Sequence, residues 1–209
     1  MNWKNRIFEK SIDILIVLDC FISLLLLSGV IGSESITFQN FSSLFTIVTI
    51  LSFFYYLLEA IYIWNRKKGM FFPLLKYILL TTITFCAIFA LIFMTPFYKN
   101  VSDNVKYAYI GIHTILPILV TLEYMVSKKG LFKKAYFTIY LFWMVLYSSI
   151  TFILGTFVEG IEYPYAFMDP EQLTYKVVFE EGILLFIVMY IYGWIILSID
   201  KKFRKKKVS

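Results

Sequence analysis

An all-α polytopic membrane protein of six transmembrane helices, with both termini cytoplasmic, is the fold class this sequence predicts. Three observations lead there. Of the 209 residues, 60% are hydrophobic and 16% charged, and the mean hydropathy is +0.76, which excludes an ordinary soluble domain. Apolar runs of about 20 residues recur, the length an α-helix needs to cross ~30 Å of hydrocarbon. In lipid each run must satisfy its own backbone groups, so the runs are helices; the ~10-residue dyad pattern of a transmembrane barrel is not seen. The third observation is where the lysines and arginines fall.

The first span covers about 11–31 and follows Lys4, Arg6 and Lys10. The second covers about 38–64 and is closed by Arg66, Lys67 and Lys68. The third, about 74–97, ends at Thr95-Pro96, and the fourth, about 105–125, is closed by Lys128 and Lys129. The fifth covers about 135–157 and the sixth about 177–199, before the basic stretch Lys201-Lys-Phe-Arg-Lys-Lys-Lys207. The N-terminal segment, the second connection (with Lys76 counted in it), the fourth connection and the C-terminal segment together hold 17 of the 20 basic residues. Such a bias puts those four segments in the cytoplasm. The net charge of +6 therefore orients helices and does not mark a nucleic-acid partner. Residues 1–209 read as a single membrane domain without a soluble part or a repeat. The longest connection, 159–176, contains Tyr163-Pro-Tyr165-Ala-Phe-Met-Asp-Pro170. It suits either an interfacial aromatic belt or a cap over the bundle mouth, with Tyr163 and Tyr165 as lid residues.

Cys20 and Cys86 each fall inside a span, where a disulfide is not expected. One histidine and two separated cysteines give no HExxH or CxxC spacing, and there is no Gly-rich phosphate loop or GxSxG elbow. Neither a metal nor a cofactor is expected. No cleavable signal peptide is expected either: the run 14–31 is long for a signal core and no small-residue cleavage site follows it.

The only histidine lies in Tyr109-Ile-Gly-Ile-His113-Thr-Ile-Leu-Pro117, within the fourth span. An ionisable side chain in lipid either marks a functional site or bonds a neighbouring helix. At 1.5 Å per residue His113 sits roughly 10 Å below the outer surface. Pro117 offers no N–H to the His113 carbonyl, which predicts a kink. Tyr109 and Pro117, at i−4 and i+4, share the face of His113 and are candidate pocket residues. The second candidate is Thr37, at the outer start of the second span, in Ser35-Ile-Thr37-Phe-Gln39-Asn40. One reading is an N-cap. The other is a nucleophile beside unpaired N–H groups and the positive end of a helix dipole, where an oxyanion is stabilised. A hydroxyl is a weak nucleophile until a base takes its proton, and Thr37 and His113 both belong to the outer half. Asp19, Glu180 and Glu181 are acids that could orient His113, with structural pairing or solvation as the alternative for each. Glu59 and Glu123 lie toward the inner ends of their helices, and Glu123 reads as structural.

These residues resemble a family. Ile36-Thr37-Phe38-Gln39-Asn40 and His113-Thr114-Ile-Leu-Pro117-Ile-Leu-Val-Thr-Leu-Glu123 are similar to the Thr-Phe-x-Asn and His-Thr-x-x-x-Pro motifs of the androgen-induced and androgen-dependent TFPI-regulating membrane proteins and their bacterial six-helix relatives. Tyr163-Pro164-Tyr165-Ala-Phe167 looks like the segment ahead of their last helix, and motif order and topology agree over nearly the whole chain. Many bacterial relatives carry Gln-Ser-Asn after the threonine, where this chain reads Gln39-Asn40-Phe41. The resemblance implies an intramembrane threonine hydrolase acting on fatty acid esters of hydroxy fatty acids, with Thr37 as nucleophile and His113 as base.

The reading is therefore a multi-pass lipid-ester hydrolase of the plasma membrane, of the bacterial inner-membrane type. Its partners would be the bilayer and a fatty acyl ester, with no cofactor and no nucleic acid. Gln39 and Asn40 would join the N–H groups of the helix start in holding the oxyanion. The rivals are a six-helix substrate-binding or transport subunit for a small molecule, a membrane acyltransferase, and a bundle without chemistry. No small-xxx-small series provides the docking face a transport subunit needs.

Overall fold

The apolar runs fold as helices, as backbone satisfaction in lipid demands. The computed structural model describes residues 3–28, 43–64, 72–94, 103–127, 131–158, 163, 165 and 168–205, and among these there is no strand. Helix α1 is Trp3–Leu27, α2 is Leu44–Trp64, and α3 is Pro73–Phe89, which runs on into a π-helical turn, Ala90–Met94. Helix α4 is Asp103–Val126 with a second π-helical turn, Gly111–Ile115, in its middle. Helices α5, Lys134–Phe157, and α6, Tyr175–Lys205, complete the bundle. Five of the six, α2 to α6, are long and apolar enough to cross a membrane. With 25 residues α1 has the length, but Glu9, Lys10, Asp13 and Asp19 interrupt its apolar character. The protein is all-α and polytopic.

Helix ends differ from the predicted spans in an informative way. Helix α1 starts at Trp3 rather than near residue 11, and α6 continues to Lys205 rather than stopping near 199. Neither extension contains a glycine or proline, so nothing stops the helix where the apolar run stops. The hydrocarbon limits the apolar run and leaves the helix free to continue into water. Positions 29–31, 38–42 (Gln39 and Asn40 among them) and 95–97 of the predicted spans lie outside the described residues, as do Thr37 and Pro164.

Helix α1 packs on α2 and α4, and α3 closes the ring by packing on the same two helices. The pair α5–α6 docks on the outside of α3. Large apolar side chains such as Phe54, Ile118, Phe142 and Leu184 are exposed on the outer faces, as lipid contact requires. Since lipid removes the hydrophobic drive between helices, close packing and interhelical hydrogen bonds hold the bundle. Tyr77 Oη on α3 donates to the Gly193 carbonyl of α6 at 2.8 Å. A Cβ at Gly193 would stand 2.9 Å from the Tyr140 ring, so a side chain there would push α5 and α6 apart. At the lysine-rich end, the buried Asp200 accepts from Tyr124 Oη and from the Phe132 N–H, both at 2.9 Å. This carboxylate fastens α6 to the inner end of α4 and to the connection after it.

Candidate functional site: a buried histidine at the outer end

His113 stands in the π-helical turn of α4 and is 8% exposed. Pro117 has no N–H to give the carbonyl four residues back, and its ring crowds that carbonyl. The helix answers by widening: the Leu116 N–H bonds the Gly111 carbonyl five residues back, with no α-type bond at that point. The sequence predicts a kink here, and the structure shows a π turn, which inserts one extra residue and re-aims the side chains on it. Gly111 lets this wide turn lie against α1. A Cβ there would collide with the Ser23 hydroxyl and sit 3.2 Å from Asp19 Oδ1.

Two rings enclose the imidazole. Tyr109, one turn earlier on the same helix, stacks on it with centroids 5.5 Å apart and planes 23° apart. Phe45, in the first turn of α2, meets it edge-on at 4.1 Å and 89°. Phe45, Ile83, Cys86, Ile112 and Leu116 line a small cavity of about 10 Å³, at most the room of one water.

The start of α2 is closely held. Ser43 caps it, its Oγ accepting from the Thr46 N–H at 3.3 Å and pairing with Thr46 Oγ1 at 3.0 Å. The Leu44 N–H donates to Tyr165 Oη at 3.1 Å, and the Tyr165 ring lies 6.0 Å from Phe45. Tyr163, the other lid candidate, lies over Gly155 of α5 and pairs its hydroxyl with Thr156 Oγ1 at 2.6 Å. Tyr163 and Tyr165 of the connection after α5 are thus tied to α5 and to the start of α2. Of the N–H groups in the first turn of α2, that of Leu44 serves Tyr165 and that of Thr46 serves Ser43; the expected oxyanion donors beside Thr37 lie outside the described residues.

The structure therefore brings His113, Tyr109, Pro117, Phe45 and Tyr165 together. Asp19, half-buried, flanks the π turn from α1. Glu180 and Glu181 are exposed on α6, with Glu180 Oε1 3.8 Å from Lys176 Nζ across one helical turn. Thr37, Gln39 and Asn40 lie outside the described residues; Thr37 is six positions ahead of the Ser43 cap. Beside this end, α1 and α2 enclose an apolar groove of about 320 Å³ lined by Phe21, Leu24, Leu25, Thr46, Phe53 and Phe54, among others.

Sequence reading missed a second polar centre. Asp13 of α1, Glu59 of α2, Lys76 of α3 and Glu123 of α4 are all buried, and they cluster at the inner end of the ring. Lys76, counted above with the cytoplasmic connection, is 1% exposed in the first turn of α3. The signal was available: each of four apolar helices carries an ionisable residue near its lysine-rich end. Compared with known families, characterised proteins and solved structures, the chain matches none.

Proposed function

We propose that this protein hydrolyses a lipid acyl ester within the membrane, with Thr37 as nucleophile and His113 as general base. The observation that carries the reading is the placement of His113. A π turn just ahead of Pro117 holds the only imidazole in the outer half, against the first turn of the helix that follows Thr37 in sequence. The apolar α1–α2 groove at the same end suits an acyl chain entering from the bilayer.

His113 would take the Thr37 proton as the threonine oxygen attacks the ester carbonyl. The side chains of Gln39 and Asn40, with N–H groups of the chain next to Thr37, would hold the oxyanion. Collapse expels the alcohol, protonated by His113, and leaves an acyl-threonine. Water, deprotonated by His113, then releases the fatty acid and returns the proton to Thr37. The resemblance makes an ester between a fatty acid and a hydroxy fatty acid the first substrate to try. Purified protein would be treated with a fluorophosphonate probe alongside Thr37→Ala and His113→Ala variants. Labelling is expected in the parent and lost from both variants; a Thr37→Ala protein that still labels removes the nucleophile.

A further inference from the structure

The inner cluster has no part in that reaction, and its chemistry is unusual for a helix bundle. Lys76 Nζ donates to both oxygens of Glu59 at 3.2 Å and to Glu123 Oε1 at 2.5 Å. Tyr55 adds a hydrogen bond to Glu59. Asp13, Glu59 and Glu123 are between 0% and 2% exposed. Three carboxylates thus share one ammonium, which leaves two negative charges uncompensated among them. Asp13 is the decisive member. It is fully buried, and neither of its oxygens accepts a hydrogen bond among the described residues; Glu123 Oε2 is in the same position. A buried carboxylate with no partner is unfavourable enough that a counter-ion or a proton must complete it.

The geometry favours an ion. One oxygen from each of Asp13, Glu59 and Glu123 lies within 4.8 Å of the other two. Hard divalent cations bind oxygens at roughly 2.0–2.6 Å, so ligands on one ion are at most about 5 Å apart. The donor set is oxygen alone, which suits magnesium, calcium or manganese and not zinc or copper. We propose that Asp13, Glu59 and Glu123 form a binding site for one such divalent cation, with Lys76 as a fixed positive group that trims the site's charge. One divalent ion neutralises the two carboxylates that Lys76 leaves over. Glu9, one turn before Asp13 on the same face and 6% exposed, extends the acidic path toward the cytoplasmic end. Ten residues of α4 separate Glu123 from His113, roughly 15 Å along the helix, so the site stands apart from the ester chemistry.

The test uses full-length protein in detergent, stripped with chelator and titrated with Mn²⁺ while the spin-resonance signal of the free ion is followed. One saturable site per chain is expected, displaced by excess Mg²⁺ or Ca²⁺. Asp13→Asn and Glu123→Gln should each weaken binding at least tenfold, and Asp19→Asn, on the same helix but outside the cluster, should not. Size-exclusion profiles and melting curves show whether each variant is folded. The proposal falls if the parent takes up no more Mn²⁺ than Asp13→Asn. It falls equally if Asp13→Asn melts higher than the parent while Mn²⁺ leaves the parent's melting unchanged, since the cluster then holds protons. Neither result touches the probe labelling at Thr37, so this inference and the hydrolase reading fail separately.

Discussion

Gly111 sets how closely α4 can approach α1, because the atom that any other residue would add there is aimed at the Ser23 hydroxyl. Gly111→Ala should destabilise the protein by about 1–3 kcal/mol, the usual cost of forcing an extra carbon into tight packing. The cause can be isolated. Ser23 Cβ would lie 3.5 Å from the new methyl, an ordinary contact, and only its Oγ collides. Ser23→Ala should therefore restore most of the loss, read as unfolding midpoints of both single variants and the double variant; simple additivity would contradict the collision. At this scale legibility was uneven. The stacking of Tyr109 on His113 follows from their i−4 spacing and needs no tertiary knowledge. The Phe45 contact does not, because it depends on how α2 is rotated, and nothing within the α2 sequence says which residue faces α4. Glu180 and Glu181 stand with Asp19 in the sequence as acids that could orient His113. Only the docking of α6 on the outside of α3 shows that those two glutamates point away from the ring while Asp19 lies beside the π turn.

The element that shapes the outer site is the π turn, and the residue that makes the helix irregular there is Pro117. Pro117→Ala would supply the missing N–H for the His113 carbonyl and remove the ring that crowds it, letting Gly111–Ile115 tighten to ordinary α-helix. Losing the extra residue of the π turn rotates everything on one side of it by about 100°, one residue's share of a 3.6-residue turn. His113 would leave its place between Tyr109 and Phe45. The variant should thus keep or gain thermal stability, since an interior proline costs about 3 kcal/mol in a helix, while probe labelling at Thr37 drops at least tenfold. Loss of labelling with loss of fold would instead make Pro117 merely structural. The sequence showed that the helix must be irregular at Pro117, because the missing donor is a covalent fact. It did not show whether the irregularity would be a bend or an inserted residue, because that choice is made by neighbours, here by the approach of α1 to Gly111 and of Phe45 to His113.

At the scale of the whole molecule, hydropathy located the helices because lipid forces each apolar run to be one, but it misjudged two charged places. Among the described residues α1 is the helix whose charges break its apolar run, and beyond Asp19 it contributes the buried Asp13 to the ring. Lys76 looked like a loop cation beside Arg66, Lys67 and Lys68; removing it from that group leaves 16 of 20 basic residues on the same side, so the orientation argument survives. What the sequence could not show is that Lys76 pairs with residues 17 positions before it and 47 after it. Its place in the first turn of α3 runs against the helix dipole, and burial there is tolerable only because Glu59 and Glu123 surround it. Through these contacts the ammonium joins α2, α3 and α4, with Asp13 of α1 completing the ring. Lys76→Met should therefore cost about 3–5 kcal/mol, the penalty for stripping a buried ion pair of one partner. Neutralising the acids as well should recover much of it: Lys76→Met combined with Glu59→Gln and Glu123→Gln leaves no unpaired charge on α2, α3 or α4. Denaturation of the parent, Lys76→Met and the triple variant in chelator, so that no metal contributes, measures both steps. A triple variant no more stable than Lys76→Met alone would mean that shape at the ring's inner end, and not charge balance, holds these helices together.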